Sequence, residues 1–334
     1  MQPIPFVCPI CKGALTQQSD AYYCAHDQRA FPVTLDIPDF RVFPDGATER
    51  DPREAKVARL AEEYPKRTFA ELVEFYYHIS SEIRPDLAQS QIRHVLSGPA
   101  RAEIALRDIQ QQSQISLQDS FLEIGCGSGG FLVAASRVFH QAIGLDIALW
   151  WLLIAKKRLE EAGYPANLIC AFAERLPFPI DSFQLVVGSD VIEHTPKQVE
   201  LMIEAYRVLA NNGALFLATP NRWSLTPEPH VKVWGVGFLP RAWRAPYVRL
   251  VRKVPYEKVI TLNYFDARAL IAQTQFGKWK ILLPEFHPDH VAQLPAWQRA
   301  VVPIYHALKA LPLVKGLVYL FGPLFYIIGI KRND

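Results

Sequence analysis

The sequence predicts an α/β fold built on a mostly parallel sheet, and three observations carry that expectation. Between residues 119 and 220, short apolar runs alternate with amphipathic stretches, the mark of βαβ units. A glycine-rich turn at residues 125–130 joins the first apolar run to a helix-like stretch. Half of the 334 residues are apolar and 21% are charged, which is enough apolar surface to offset chain entropy and excludes long-range disorder. The formal net charge of +3 is too even for a chain-wide nucleic-acid binder. The length allows two or three units.

From the N-terminus, residues 1–45 hold three of the five cysteines and form a first unit. No basic and apolar leader precedes Cys8, so no signal peptide is expected. The cysteines are too few and too unevenly placed for a disulfide framework, and a reducing cytoplasm follows. Residues 46–118 form a helical lid or linker, with Phe69, Leu72, Val73 and Tyr76–Tyr77 at helical spacing. Residues 119–334 form the main domain. Its expected strands are 120–124, 141–147, 167–173, 183–189, 214–220 and 278–283. A helix over 150–163 closes at Gly163. Thr195-Pro196 predicts a capped helix start, with that helix ending at Asn211–Gly213, and Asp266 predicts the cap of a helix closed by Gly277.

Gly125, Gly127 and Gly130 fit G-x-G-x-x-G, a spacing that nicotinamide and flavin enzymes share. Glu123 distinguishes this turn. A carboxylate two residues before the first glycine is unwelcome beside a pyrophosphate and suits a cationic amino-acid end. Asp146 ends the second strand, where it can accept hydrogen bonds from both ribose hydroxyls. A ligand with a ribose, an adenine and a positive amino-acid moiety is S-adenosylmethionine.

The phrases LEIGCGSGG (122–130), GLDIA (144–148) and AERLPFPIDSFQLVVGSDVIEHT (173–195) together resemble the class I S-adenosylmethionine-dependent methyltransferases, in their small-molecule, methyltransferase type 11-like branch. The resemblance implies a Rossmann-like seven-stranded sheet with helices on both faces. It implies that Glu123, Gly125, Cys126, Gly127 and Gly129 hold the methionine end and that Asp146 holds the ribose. Ile147 would pack on the adenine, and Ala173 and Glu174 would read its edge, with Ser189 at the end of the fourth strand also in the cofactor-binding set. Two positions depart from the family pattern. Phe172 stands where an aspartate usually accepts from the adenine amino group, and Gln184 replaces the aspartate of the S-F-D phrase.

Methyl transfer is an in-line displacement, so the protein mainly positions the nucleophile, with a base where a proton must leave. His194 is the candidate base, and a structural histidine is the competing reading; Glu193 would orient it or line the pocket. Cys126 has no base beside it and reads as a small loop residue.

Cys8-Pro-Ile-Cys11 is a knuckle suited to tetrahedral zinc, with Cys24 as third ligand. A fourth cysteine would fall at 27, where the chain has Asp27; His26 is the alternative ligand. The segment resembles small zinc-ribbon domains that accompany methyltransferases. A bound zinc and a relic ribbon held by packing both remain open.

Residues 221–260 carry eight Lys or Arg, two acids and six aromatics. This insert could take an acidic acceptor, rest on anionic headgroups, or be a solvated lid. Within it, His230 is a second candidate for acceptor contact. The apolar tail 313–330 reads as a last antiparallel strand over 324–332, a membrane-surface helix over 303–322, or a span. The expectation is a cytoplasmic methyltransferase that O-methylates a small-molecule, sugar or lipid intermediate, with peripheral contact to the inner membrane face left open. The alternatives are an RNA base methyltransferase, against which the basic patch is local, and a non-catalytic cofactor-binding partner subunit.

Overall fold

The computed structural model describes residues 4–43, 54–80, 85–113, 115, 119–257, 259–286, 291 and 296–332. Lys258 of the basic insert lies outside them. The chain divides into two compact units: Met1–Val187 with Arg207–Gly213, and Gly188–Tyr206 with Ala214–Asp334.

Two sheets are present. Strands β1 (Thr16–Gln17), β2 (Ala21–Cys24), β3 (Arg29–Thr34) and β4 (Ile37–Pro38) form a four-stranded sheet in sequence order, each antiparallel to the next. The second sheet has seven strands: β5 (Ser120–Ile124), β6 (Gln141–Asp146), β7 (Leu168–Cys170), β8 (Phe183–Ser189), β9 (Leu209–Pro220), β10 (Lys278–Leu282) and β11 (Leu324–Ile330). Their order is β10-β11-β9-β8-β5-β6-β7. The pairs β5–β6 and β6–β7 are parallel, and β11 runs antiparallel to both β9 and β10. The sequence therefore placed the last strand correctly, and the Rossmann-like seven-stranded sheet is present.

In the first unit, β5 is buried along its whole length, as an apolar run in the middle of a parallel sheet must be. Phe121 stacks on Phe131 at 5.6 Å between ring centres. Helices α1 (Glu54–Glu63), α2 (Phe69–Ile79), α3 (Pro85–Leu96) and α4 (Gly98–Ser113) precede the sheet. A capping box opens α2: the Thr68 hydroxyl accepts from the Glu71 N–H, and the Glu71 carboxylate accepts from the Thr68 N–H. Tyr76 packs on Trp151 of α6 (Leu149–Glu161), with ring centres 4.7 Å apart. The Tyr76–Tyr77 pair is thus an aromatic core stripe. Helix α4 crosses α5 (Gly130–Ala135) at two glycines. A Cβ on Gly130 would lie 2.9 Å from the Gly98 Cα, so neither position has room for a side chain.

The N-terminal sheet joins this unit through a ring cluster of Phe6, Tyr22, Phe31, Phe40 and Phe178. It also joins through the backbone: the Phe40 N–H donates to the Cys170 carbonyl at 2.8 Å, and Asp39 bridges in parallel to Cys170, the last residue of β7.

The second unit holds α8 (Arg241–Arg252), α9 (Tyr264–Ala272), α10 (Ala296–Ala310) and α11 (Pro312–Phe321). Helix α7 (Gln198–Val208) starts later than Thr195-Pro196 predicts. The Thr195 hydroxyl donates back to the Val191 carbonyl and does not cap the helix. No turn separates α7 from the next strand, since β9 begins at Leu209 rather than 214. Asp266 is not the cap of α9. Asn263 is, and Asp266 returns the hydrogen bond from the third helical position. Strand β7 is shorter than 167–173 because residues after Cys170 turn away as a loop. Among the described residues, no helix is long and apolar enough to cross a membrane.

Candidate functional site

In the first unit the turn after β5 is anchored by backbone. The Gly125 and Cys126 N–H groups both donate to the Leu145 carbonyl on β6, at 2.7 and 3.0 Å. Gly127 has φ +48 and a Cβ there would meet nothing within 4 Å, so the loop presents bare backbone on its open side. Gly129, at φ +73, faces the other way, where a Cβ would meet the Ala155 Cβ at 3.0 Å.

Two carboxylates border this loop. Asp146 accepts from the Gly127 N–H through Oδ2 and from the Ala148 N–H through Oδ1, both at 2.8 Å. Each oxygen keeps a second lone pair. Glu123 is 6% exposed, and its Oε2 is fully buried without a hydrogen-bond partner. Burial, then the nearby Asp146 charge, pushes the Glu123 carboxyl well above the usual range. The Arg158 charge pulls the other way without cancelling the shift, and Oε2 is left buried with no hydrogen bond, which is costly.

Arg158 lies in the charged run KKRLEE of α6 and has no sequence signal of a functional role. It is 5% exposed. It stacks on Phe69, donates to the Val95 carbonyl at 2.6 Å, and leaves Nη1 buried without a partner. An orphaned acceptor and an orphaned donor thus lie behind the same glycine turn: the Arg158 Nη1 atom is what a Cβ on Gly130 would strike, at 2.7 Å.

Ile147 is half exposed, an apolar side chain presented just after Asp146. Its carbonyl accepts from Arg41, whose guanidinium is paired with Asp39. Ala173 and Glu174 follow on a half-buried loop. Phe172 is packed edge-on against Phe43, so it takes an apolar role where the family pattern has an acceptor. Cys126 is buried, and burial pushes its thiol up, which leaves no thiolate for nucleophilic chemistry.

The second unit brings together residues far apart in sequence. A short 3-10 turn, Ile192–His194, follows β8 and Ser189. Glu193 is completely buried; Oε2 accepts from the Thr219 hydroxyl at 3.1 Å, and Oε1 has no hydrogen-bond partner. His230 Nε2 lies 3.9 Å from Oε1, and its Nδ1 pairs with Glu228 at 2.5 Å. The His194 and His230 rings meet edge to face at 4.7 Å. Burial, then Asp190, raises Glu193 to about 7. Partial desolvation of a ring that keeps an exposed edge, then His230, lowers His194 to about 4. Burial works against the charge of His230 too, but the Glu228 hydrogen bond outweighs it and the net shift is upward. The free oxygen of Glu193 therefore faces His230, and the sequence separation of these residues hid that pairing.

In the N-terminal sheet, Cys8, Cys11, Cys24 and Asp27 place one ligand atom each within 4.8 Å of all the others. The Cys11 and Cys24 sulfurs are 3.6 Å apart and the Cys8 sulfur is 2.9 Å from Asp27 Oδ2. Tetrahedral zinc with thiolate bonds of about 2.3 Å sets its sulfurs about 3.8 Å apart, so the spacing fits. The Ile10 and Asp27 N–H groups point at the Cys8 and Cys24 sulfurs, at 3.4 Å each. His26 stays outside and hydrogen-bonds Asp27 Oδ1.

Residues 122–217 match the methyltransferase domain family. This chain carries a methyltransferase domain. S-adenosylmethionine is the cofactor of that family. The chain is 31% identical over 103 residues to a ubiquinone biosynthesis O-methyltransferase of Methylobacterium sp. (strain 4-46), covering 31% of this chain and 41% of the relative. It is 31% identical over 143 residues to the phthiotriol/phenolphthiotriol dimycocerosates methyltransferase of Mycobacterium leprae (strain TN), covering 42% and 50%. Among solved structures, phosphoethanolamine N-methyltransferase 2 of Haemonchus contortus in complex with S-adenosyl-L-methionine aligns over 70% of this chain and 53% of its own, at 17% identity and a TM-score of 0.47. The chain spans about half the length of the curated relatives it matches.

The methyltransferase domain's cofactor fits the residues present. The orphaned Glu123 oxygen suits an ammonium and the orphaned Arg158 nitrogen suits a carboxylate, the two ends of an amino acid. The open side of Gly127 leaves room for close approach. Asp146 retains acceptor capacity for ribose hydroxyls.

Proposed function

We propose that the chain is an S-adenosylmethionine-dependent methyltransferase that methylates an oxygen of a small-molecule, sugar or lipid intermediate. The observation that carries this reading is the buried Glu123 carboxyl behind the glycine turn, whose Oε2 has no hydrogen-bond partner and which favours a cationic ligand over a pyrophosphate. When bound, the cofactor supplies an electrophilic methyl group. Glu123 and Arg158 would hold its amino-acid end, Asp146 its ribose, and Ile147, Ala173 and Glu174 would border the remainder. His194, exposed on the turn after β8, is the residue assigned to accept the proton of the acceptor hydroxyl; its lowered pKa keeps it neutral but makes it a weak base, so its position against the hydroxyl carries the step. Glu193 and His230 set the charge around it.

Oxygen as the target and a lipid or quinone-like acceptor draw support from the relatives' names, a ubiquinone O-methyltransferase and a phthiotriol methyltransferase. The reading includes a cytoplasmic chain that meets its acceptor at the inner face of a membrane, with Cys8, Cys11, Cys24 and Asp27 holding a structural zinc ion.

Calorimetry with S-adenosylmethionine and S-adenosylhomocysteine tests the core of this reading. Heat with both is expected, and Glu123→Gln should weaken S-adenosylmethionine binding by about 10- to 100-fold, the worth of a hydrogen bond to a charged group. No heat with either nucleoside would overturn it. Extract incubated with methyl-labelled cofactor and fractionated into lipid, sugar and RNA pools then assigns the acceptor; label confined to RNA would refute the proposed substrate class.

A further inference from the structure

The second unit has an apolar surface that its own core does not use. Helix α10 packs inward through Val302 and Tyr305, and Tyr305 joins Leu283 and Val318 of α11 in one buried cluster. That inner side is complete. Yet a second stripe of α10, Val301, Ile304 and Leu308, is 39–58% exposed. It runs on through Leu311 at 52% to Leu313 at 98% and Leu317 at 54% on α11. A helix pair that is apolar on two sides in water lacks a covering surface.

The stripe continues beyond the helices. Phe321 at the end of α11 meets the Phe238 ring, and Phe238 meets Trp234, which is 58% exposed. The Trp234 ring N–H donates to the Leu225 carbonyl, and the Leu225 N–H donates to the Phe321 carbonyl. Helix ends, aromatics and insert are thus one connected apolar surface, with Trp and Phe at its margin.

Charge identifies what covers it. Residues 296–332 contain no Asp or Glu; Arg299, Lys315 and Arg332 are exposed, while Lys309 pairs with Glu285 and Lys331 is buried. Helix α8, which opens at Arg241 just after Phe238, has four arginines, no acid, and exposed Trp243 and Leu250. A second copy docked face to face would set cations against cations. An anionic bilayer satisfies both features, taking apolar side chains into the acyl boundary and cations at the headgroups.

We infer that the α10–α11 stripe, extended by Phe238 and Trp234 and flanked by Arg241 and Lys315, is a docking surface for an anionic lipid bilayer. This deepens the peripheral-membrane part of the proposed function and rests on that part alone. It needs neither bound cofactor nor methyl transfer.

The test is flotation of the full chain with vesicles of phosphatidylcholine and phosphatidylglycerol (7:3) or of phosphatidylcholine alone, without cofactor. Sedimentation velocity without lipid runs in parallel. The expected result is a monomer that floats with the anionic vesicles, less so with neutral ones, and less as salt rises. Arg241→Glu with Lys315→Glu should weaken partitioning by at least about 30-fold, since each neutralised cation is worth roughly fivefold. Leu313→Glu with Leu317→Glu, at positions that are more than half exposed, should abolish it while the far-ultraviolet circular dichroism stays unchanged. A chain that ignores anionic vesicles, or that binds both lipids equally and indifferently to the charge reversals, overturns the inference. So does a dimer that Leu313→Glu dissociates and that never floats, which would make the stripe a self-association face. Cofactor heat without vesicle binding would leave the methyltransferase reading standing and remove this one.

Discussion

Replacing Glu193 by Gln should make the protein more stable, but only on the alkaline side. Glu193 is completely buried, and burial with the neighbouring Asp190 raises its carboxyl from the ordinary 4.5 to about 7. The folded chain therefore holds a proton that the unfolded chain releases above pH 4.5. Between those two values the folded state binds more protons, so stability falls as pH rises, by about 1.4 kcal/mol per unit. Across the window the loss is about 3 kcal/mol, complete above pH 7 and absent below pH 4.5. Gln keeps the shape and can still accept from the Thr219 hydroxyl, but it has no charge to bury. Urea denaturation of both proteins at pH 4.5 and pH 8 reads the effect, and the difference between them cancels all other titrating groups. The gap should be near zero at pH 4.5 and about 3 kcal/mol in favour of Glu193→Gln at pH 8. A gap that is the same at both pH values, or a variant less stable at pH 8, would refute the reasoning. It would mean that the buried carboxylate is ionised and compensated in the free protein.

Three further outcomes are expected. His194→Ala should lower turnover by about 100-fold or more, the usual worth of a general base, while calorimetric affinity for S-adenosylmethionine stays nearly unchanged; unchanged turnover would assign His194 to structure. Gly130→Ala should cost about 1–3 kcal/mol in urea denaturation, because its Cβ would meet Gly98 backbone at 2.9 Å where no flexible side-chain end can yield; a neutral effect would mean that the two helices separate freely. The purified chain should contain one zinc per molecule by elemental analysis, retained in Asp27→Cys and reduced in Asp27→Ala; zinc-free protein with the same thermal midpoint after chelation would identify a ribbon held by packing alone.

The sheet was legible wherever strands are apolar runs bounded by turn residues. Residues 120–124 and 183–189 coincide with observed strands, and the final antiparallel strand emerged from a tail that hydropathy alone could read as a span. Elements misjudged were those decided by competition between local hydrogen bonds. Thr195 and Asn263 are both able caps, and only the fold determines that Thr195 bonds backward while Asn263 caps forward. Among the candidate binding groups, Glu123 and Asp146 were visible because they flank the glycine turn at the ends of β5 and β6. The four metal-ligand candidates were visible because their spacing is local. Arg158 was hidden by its charged neighbours, and the approach of His230 to Glu193 was hidden because contact across 37 positions leaves no periodic trace.

The bond from Phe40 to Cys170 gives the N-terminal ribbon a duty besides any metal it carries. Strand β7 is the last in the order of its sheet, with β6 on one flank. The other flank is clothed by the stretch that leaves the ribbon, through the Asp39 bridge. Trimming the chain to its methyltransferase segment would strip that selvedge and leave bare amides able to recruit another molecule's strand. The cysteine-rich beginning thus covers an otherwise open sheet edge, and loss of its fold should show as insolubility of the chain.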